Sequence, residues 1–135
     1  IYVAIDDNPT LEQFNNQISP YLKAMGTAFS AAGYQLGVYG NYYTIAWCLE
    51  DGIGSYFWQH DWGSRGKVHS RANIHQVAGW QANIQGVQVD INNVYTSDWG
   101  QWTPGQASTL TNMTPDDWSN LLKGSSQLSS SLFRR

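Results

Sequence analysis

Short apolar segments that alternate with segments of helical periodicity place the strongest constraint on the fold of this chain. Residues 1–5 predict a buried strand, and apolar side chains then recur at helical spacing over residues 11–33. Pro20 divides that segment, so we expect one helix to end near Gln17 and a second to begin after Ser19. Residues 34–40 predict a second strand and residues 41–51 a further helix, so the alternation repeats.

Three more strands are predicted at residues 55–59, 73–77 and 87–91, with loops rich in Gly, Ser and Trp between them. Alternating strands and helices indicate an α/β protein whose strands run parallel and whose crossovers are right-handed. We therefore expect about five parallel strands in one sheet. The pattern leaves open whether the sheet closes into a barrel or is doubly wound with a ligand at its switch point.

Composition excludes several classes of partner and cofactor. Seven Lys and Arg against ten Asp and Glu, with a net charge of −3, form no basic stripe for nucleic acid. No apolar run approaches the roughly 18 residues of a membrane span. The single cysteine, Cys48, allows no intrachain disulfide and is predicted to lie in the core. The sequence contains neither a phosphate-binding glycine loop nor a compact metal-ligand pair around its three histidines, so we predict no cofactor and no metal.

The composition of the chain changes after about residue 102. Residues 1–102 are predicted to form the α/β domain, and residues 103–135 a tail. Within the tail, the Thr-Pro-Asp-Asp sequence predicts a short helix near residues 115–123, followed by a Ser-rich end.

Acidic side chains follow one predicted strand and interrupt another. Asp6, Asp7 and Asn8 come directly after the first strand, and Asp90 lies within the apolar fifth strand. Because parallel strands end at one edge and alternate residues share a face, we expect Asp6 and Asp90 to face each other. Two carboxylates in an aromatic-lined pocket are what glycosidic hydrolysis requires. The sequence Asp-Asp-Asn-Pro is also typical of a turn, and the residues alone leave both interpretations open.

Aromatic residues are abundant for a chain of this length. Seven Trp and eight Tyr among 135 residues indicate a groove in which flat rings stack on sugars, with core packing as the alternative for each ring. Several polar and aromatic residues lie at predicted strand ends or in loops. As substrate-binding residues we predict Asn8, Trp58, Gln59, Asp61, Trp62, Asn92 and Trp99.

Over about residues 1–102, the chain resembles a bacterial glycoside-hydrolase-like domain related to the family-25 lysozymes. The resemblance rests on the order and spacing of five segments, IYVAIDDNP, GYQLGVYGNY, YFWQHDW, NIHQVAGW and VQVDINNVYTSDWGQW. It implies a TIM-type (β/α) barrel. A complete eight-stranded barrel usually needs at least about 200 residues, so this chain would cover only the C-terminal part, with Ile1 in about the fourth strand.

The resemblance implies a chemistry for the acidic residues. The lysozymes of that family cleave the bond after N-acetylmuramic acid with an Asp-x-Glu at a strand end and further aspartates. Asp6, Asp7 and Asn8 match the first motif, and Asp90 matches a late aspartate. Asn8 stands where those lysozymes place the glutamate that resembles the general acid, and a neutral amide cannot donate a proton in that role. The resemblance thus implies Asp6 or Asp7 as the acid, or a module that binds glycan without cleaving it.

The resemblance also implies a cleft, a substrate and a location. Tyr39, Gln59 and Gln76 match strand-end positions that line the cleft in such domains. The implied substrate is peptidoglycan or a related polysaccharide. The implied location is extracellular or cell-wall associated, in a secreted bacterial or phage-associated protein. Other domains, or the N-terminal part of the barrel, would then be partners.

Overall fold

The computed structural model describes residues 1–102, which form one five-stranded sheet with helices against it. The predicted helix near residues 115–123 and the Ser-rich end lie outside the described residues, and the boundary at residue 102 stays a prediction. The elements are β1 (Tyr2–Ala4), α1 (Leu11–Gln13), a π-helical turn (Phe14–Ile18), α2 (Ser19–Ala31), β2 (Gly37–Gly40), α3 (Tyr42–Glu50), β3 (Tyr56–His60), β4 (Ile74–Ile84) and β5 (Val87–Val94).

The strands lie in chain order, and β1 to β4 run parallel as predicted. The prediction that all five are parallel is wrong, because β5 runs antiparallel to β4. Only Gln85 and Gly86 connect the two strands, with φ of 51° and 84°. A two-residue connection with positive φ forms a hairpin, whereas parallel neighbours need a crossover of about a dozen residues. The Asn83 side chain stabilises the turn by accepting the Gly86 N–H at 2.8 Å.

Strand β4 continues well past the predicted end at residue 77. Its register with β5 shifts between Gln76, which pairs with Asn92, and Gln81, which pairs with Asp90. The extra residues of β4 form a bulge that contains Gly79, at a φ of 74° that favours glycine. The segment predicted as a loop is therefore a bulged strand.

The predicted break at Pro20 is also wrong, because the chain stays helical from α1 through α2. Thr10 caps the start, since its hydroxyl accepts the Gln13 N–H and its own N–H donates to the Gln13 side chain. The Ser19 N–H then donates to the Phe14 carbonyl five residues earlier, which widens the turn before Pro20. Because Pro20 lies in the first turn of α2, its missing N–H and its ring are accommodated without ending the helical segment.

The core lies between one face of the sheet and the helices. Alternate strand residues on this face meet apolar residues from both helical segments. The buried cluster consists of Val3, Phe14, Leu22, Leu36, Val38, Ile45, Cys48, Ile53 and Phe57. Because α2 and α3 both contribute to this one cluster, the described residues lack the helices on both faces that a doubly wound sheet requires.

Cys48 lies in that cluster, as predicted. Its side chain is fully buried, and burial together with the nearby charge of Asp51 raises the pKa of the thiol to about 12. A protonated, enclosed thiol is a poor nucleophile, so Cys48 contributes packing. No helix among residues 1–102 is long and apolar enough to cross a membrane.

Replacing Leu22 by Ala should lower the free energy of unfolding by about 2–4 kcal/mol, because it leaves a cavity in the core. Leu22 is 0% exposed, whereas Leu11, in the same helical segment, is 50% exposed. Leu11→Ala is therefore the matched control, with an expected change within about 0.5 kcal/mol. Urea unfolding monitored by tryptophan fluorescence measures both, and equal losses would contradict this assignment of the core.

Candidate functional site

A hydrogen-bonded series of side chains crosses the sheet face that the helices leave open. The Tyr39 hydroxyl donates to Gln76 Oε1 at 2.7 Å, and Gln76 Nε2 donates to Asp90 Oδ2 at 2.6 Å. Gln81 Nε2 donates to the second Asp90 oxygen at 2.9 Å. An ionised carboxylate only accepts hydrogen bonds, so the two amide donors fix its orientation without satisfying all of its lone pairs.

Asp90 lies at the same end of the sheet as Asp6, the end at which the parallel strands terminate, although β5 runs opposite to the predicted direction. Asp6 follows the C-terminal end of β1, and Asp90 pairs with Gln81, beyond the part of β4 that pairs with β3. Burial, followed by the negative charges of Asp6 and Asp90, raises the pKa of the Tyr39 hydroxyl above its usual value. Tyr39 is therefore within electrostatic reach of both carboxylates.

Aromatic rings form the floor next to these carboxylates. The Trp58 ring contacts Tyr39 edge-on at a centroid distance of 5.2 Å and Tyr2 at 5.9 Å. Trp58 Nε1 donates to Asn92 Oδ1 at 2.8 Å, which fixes the indole in the sheet face. A Cβ at Gly37 would lie 2.7 Å from the Tyr2 ring, so glycine permits that ring to cover β2. The predicted residues Tyr39, Trp58, Gln76, Asn92 and Asp90 thus lie on one face.

Asp61 binds the backbone of β4 rather than standing free at the rim. Its Oδ1 lies 2.7 Å from His75 Nε2, and its Oδ2 accepts the Ala78 N–H at 2.8 Å. Burial opposes ionisation of Asp61, but the hydrogen bonds from Ala78 and His75 outweigh it and hold the pKa of the carboxyl below its usual value. Since Ala78 lies between Gln76 and Gln81, Asp61 fixes the bulge that aims both amides at Asp90.

The three histidines lie in separate environments. His60 Nε2 is 3.3 Å from the Ile5 carbonyl, the His69 ring lies 5.1 Å from the Tyr42 ring, and His75 pairs with Asp61. Residues 1–102 contain no group of three or more His, Cys, Asp or Glu side chains that could hold a metal ion.

Gln59 does not lie where the sequence analysis expects it. Its side chain is fully buried, because its position in β3 alternates with those of Trp58 and His60 and so points toward the helices. Gln59 Nε2 donates to the Lys67 carbonyl and its Oε1 accepts the His69 N–H, both at 2.8 Å. Gln59 therefore anchors the loop after β3, and a substrate on the open face does not reach it.

Asp7 and Asn8 form the turn that the sequence also allowed. Asp7 Oδ1 accepts the Asn8 N–H at 2.7 Å. Asn8 Oδ1 accepts a hydrogen bond from Asn41 Nδ2 at 3.0 Å, and a Cβ at Gly63 would collide with this amide. Of the two neighbouring aspartates, only Asp6 has a carboxylate without a hydrogen-bond partner among residues 1–102.

The two predicted loop tryptophans lie at opposite ends of the sheet. Trp62 follows β3 at the Asp6 edge and is 59% exposed. Trp99 follows β5, and because β5 runs antiparallel the chain returns there to the N-terminal ends of the parallel strands. Its carbonyl accepts the Tyr2 hydroxyl at 2.7 Å. Trp99 is therefore separated from the edge where Asp6 and Asp90 lie.

The Rv2525c-like, glycoside hydrolase-like domain family matches residues 1–95. The chain belongs to this family. This confirms the resemblance to bacterial glycoside-hydrolase-like domains. Over 104 residues the chain is 49% identical to the Mycobacterium tuberculosis protein named "Putative peptidoglycan hydrolase Rv2525c", and the match covers 76% of this chain and 42% of that protein.

Solved structures of the same relative share the fold. Crystal structures of the M. tuberculosis Tat-secreted protein Rv2525c, in complex with L-tartrate or with HEPES, match with TM-scores of 0.69 and 0.68. Each is 45% identical and covers 76% of this chain and 50% of the solved chain. The chain thus spans about half the length of the relatives that it matches.

Sequence reasoning missed Gln81, which completes the donor pair on Asp90. The signal was present, since polar Gln81 and Asn83 alternate with apolar Ala82 and Ile84, as in a half-buried strand. The sequence nevertheless predicts a loop between residues 77 and 87, because Gly79 and Trp80 are among the Gly and Trp residues of the predicted loops. A bulge accommodates both without ending β4.

Asp6→Asn and Asp90→Asn should each lower the pKa of Tyr39, because each removes a negative charge that disfavours the phenolate. Carbon NMR of Cζ-labelled tyrosine, followed through the alkaline titration, measures this pKa directly. Asp51→Asn is the matched control and should leave it unchanged. A shift in only one of the two site variants would contradict the placement of both carboxylates around Tyr39.

Asp61→Ala should destabilise the fold by about 1–2 kcal/mol at neutral pH, because the Ala78 N–H and His75 Nε2 lose their partner. The folded-state pKa of Asp61 lies below its usual value. Its stabilisation is therefore complete above the unfolded value of about 3.9 and is lost as the pH falls through the folded value. Urea unfolding from pH 7 to pH 3 should show the difference between parent and variant shrinking in acid.

Asp6→Ala is the control for this experiment, since it makes the same substitution at an exposed carboxylate. We expect it to change the free energy of unfolding by no more than about 0.5 kcal/mol at neutral pH. A loss as large as that of Asp61→Ala would contradict the role assigned to the Asp61 hydrogen bonds.

Proposed function

We propose that this domain binds a peptidoglycan-type glycan on its open sheet face and hydrolyses one of its glycosidic bonds. Asp6 and Asp90 would act on that bond. The observation that supports this most strongly is the hydrogen-bonded series from Tyr39 through Gln76 to Asp90 on an aromatic-lined face, with Asp6 at the same end of the sheet. Membership of a glycoside hydrolase-like family and the name of its M. tuberculosis relative favour the same substrate class.

Sugar rings would lie on the aromatic floor. Tyr39 and Trp58 offer flat apolar surfaces of the kind on which the C–H face of a pyranose packs. Asn92 and Gln76 lie next to them and would hydrogen-bond hydroxyl or acetamido groups. Trp62, exposed at the same edge, would extend the stacking surface toward the next sugar.

The two carboxylates would have different roles. Asp6 would act as the general acid toward the leaving glycosidic oxygen, because its carboxyl group has no hydrogen-bond partner among residues 1–102 and is open to a ligand. Asp90, held by two amide donors, would stabilise positive charge at the anomeric carbon and orient the substrate's acetamido group. Water would then add at the anomeric carbon and give its proton to the Asp6 carboxylate, which yields the free reducing sugar and restores the acid.

The architecture of the complete protein and its location belong to the same proposal. Parallel strands with helices on one face and a polar aromatic face opposite fit one wall of a TIM-type barrel, whose interior would be that open face. The relative of known structure is Tat-secreted. We therefore place the function of this domain outside the cytoplasmic membrane, at the cell wall.

A glycan-binding module without catalysis is the second candidate, and specific contacts favour it. Both oxygens of Asp90 already accept hydrogen bonds from Gln76 and Gln81. Asn8, at the position of the lysozyme acid, is an amide engaged with Asn41. A site of this kind would hold sugars with Asp6 and Asp90 as hydrogen-bond acceptors for hydroxyl groups.

Incubation with purified peptidoglycan, followed by mass spectrometry of the soluble products, tests the proposal. We expect muropeptides from the parent and at least a 100-fold lower rate from Asp6→Asn and Asp90→Asn, since each removes a group that acts in the transition state. Asp7→Asn should retain most of the activity, because the Asp7 carboxylate serves the turn.

Asp98→Asn is the matched control, because Asp98 accepts a hydrogen bond from the Tyr56 hydroxyl at the opposite end of the sheet. Glycan binding by the parent without any product would select the binding module. Release of muropeptides that persists in both Asp6→Asn and Asp90→Asn would overturn the assignment of the site.

A further inference from the structure

Positive charge is concentrated in the segment between β3 and β4. Residues 1–102 contain four Lys and Arg residues, and three of them, Arg65, Lys67 and Arg71, lie within residues 63–71. We call this segment the basic loop. Because the whole chain has a net charge of −3, the basic loop is a local exception to an acidic protein.

The charges of the basic loop are not neutralised within the described part of the chain. Lys23 pairs with Asp51, and the His75 ring contacts Asp61, but no cation of the basic loop lies within ion-pair distance of a carboxylate among residues 1–102. Arg65 and Lys67 instead lie over tyrosine rings. The Arg65 guanidinium is 5.5 Å from the Tyr43 centroid, and the Lys67 ammonium is 5.4 Å from that of Tyr42. Cation–π contacts orient a cation but leave it available to an anion.

The backbone of the basic loop is fixed from beneath. Gln59 holds the Lys67 carbonyl and the His69 N–H with its two ends. The Ser64 hydroxyl, fully buried, donates to the His60 carbonyl at 2.7 Å and accepts the Tyr42 N–H at 3.0 Å. A loop with this many internal anchors presents its charges in one geometry, which lowers the entropic cost of binding.

The basic loop adjoins the edge that contains the candidate site. Gly63 at its start packs against Asn8, two residues after Asp6. Trp62 and Asp61 immediately precede it. A polymer that lies across Asp6 and the aromatic floor would therefore pass close to Arg65 and Lys67.

We propose that the basic loop binds the carboxylates of the short acidic peptides that peptidoglycan bears on its sugars. This inference rests on the proposed function and specifies the substrate: glycan with its peptides attached rather than bare glycan. While the peptides are attached, the lactyl carboxyl of each muramic sugar is part of an amide bond, so the sugars carry no charge and suit the aromatic floor. The free carboxylates then lie on the peptides and need cations. Tyr42 and Tyr43 add apolar surface beside those cations for the methyl groups of alanine residues.

Affinity measurements with soluble peptidoglycan fragments test this inference. The fragments are used before and after their peptides are removed with an amidase and the lactyl carboxylates so exposed are capped as amides. We expect the parent to bind peptide-bearing material several-fold more tightly than the bare glycan strands. Lys67→Gln should weaken binding to peptide-bearing material by about threefold, and Arg65→Asn with Lys67→Gln by about tenfold. Asn is chosen at position 65 because Arg65 has a φ of 54°, which Asn tolerates.

Lys23→Gln is the matched control, since it removes one lysine charge elsewhere and should leave binding unchanged. Lys67→Arg keeps the charge and should bind like the parent, which separates a charge effect from a folding effect. The preference for peptide-bearing material should weaken with added salt in the parent and be lost in the double variant.

The result that overturns the inference is a double variant that keeps the parent's preference, or a parent that binds both materials equally. Either result leaves the proposed function intact when the parent still binds or cleaves the glycan. If the parent neither binds nor cleaves either material, the proposed function itself fails, and this inference fails with it.

Discussion

The hydrogen-bonded series from Tyr39 through Gln76 to Asp90 is the constraint on which the rest of the open face depends. It joins side chains from β2, β4 and β5, and it forms only if the amide of Gln76 and that of Gln81 point to the same carboxylate. The bulge in β4 makes this possible, and Asp61 holds the bulge through the Ala78 N–H. A carboxylate in the loop after β3 thus fixes the position of another carboxylate in β5.

Local periodicity predicts many of the helices and strands of this fold, but it does not predict how the last strand joins the sheet. The strand after residue 34, the helix after Asn41 and the strand of Tyr56 each follow from a pattern within one element. The direction of β5 depends instead on two residues, Gln85 and Gly86, whose positive φ makes a hairpin. Gln-Gly is a weaker turn signal than Asn-Gly, so the pattern alone favoured a crossover. Pro20 similarly predicts a break that a single wide turn avoids.

In the candidate site, too, the sequence predicts some positions and misses others. The sequence predicts that Asp6 and Asp90 face each other, and this stays a prediction. In the structure both lie toward the C-terminal end of the parallel strands, although the predicted parallel direction of β5 is wrong. The hairpin returns β5 along β4, and Asp90 reaches the edge because it lies near the turn. The same reversal takes Trp99 to the opposite end of the sheet, and the alternation of β3 buries Gln59. Asp90 therefore keeps the predicted end of the sheet because it lies near the hairpin turn, whereas Trp99, beyond the far end of β5, does not.

Negative and positive side chains occupy different places at this end of the sheet. Asp6 and Asp90 lie at the floor, where the neutral sugars of the proposed substrate would be bound and cleaved. Arg65 and Lys67 lie beyond Asn8, held over tyrosines and without a carboxylate partner in residues 1–102. If the cations lay at the floor, they would pair with Asp6 and Asp90, and neither carboxyl group would be available for its proposed role. Asn8, bonded to Asn41, follows Asp6 in the chain and lies against the start of the basic loop, so the proposed substrate would meet carboxylates and cations at different points.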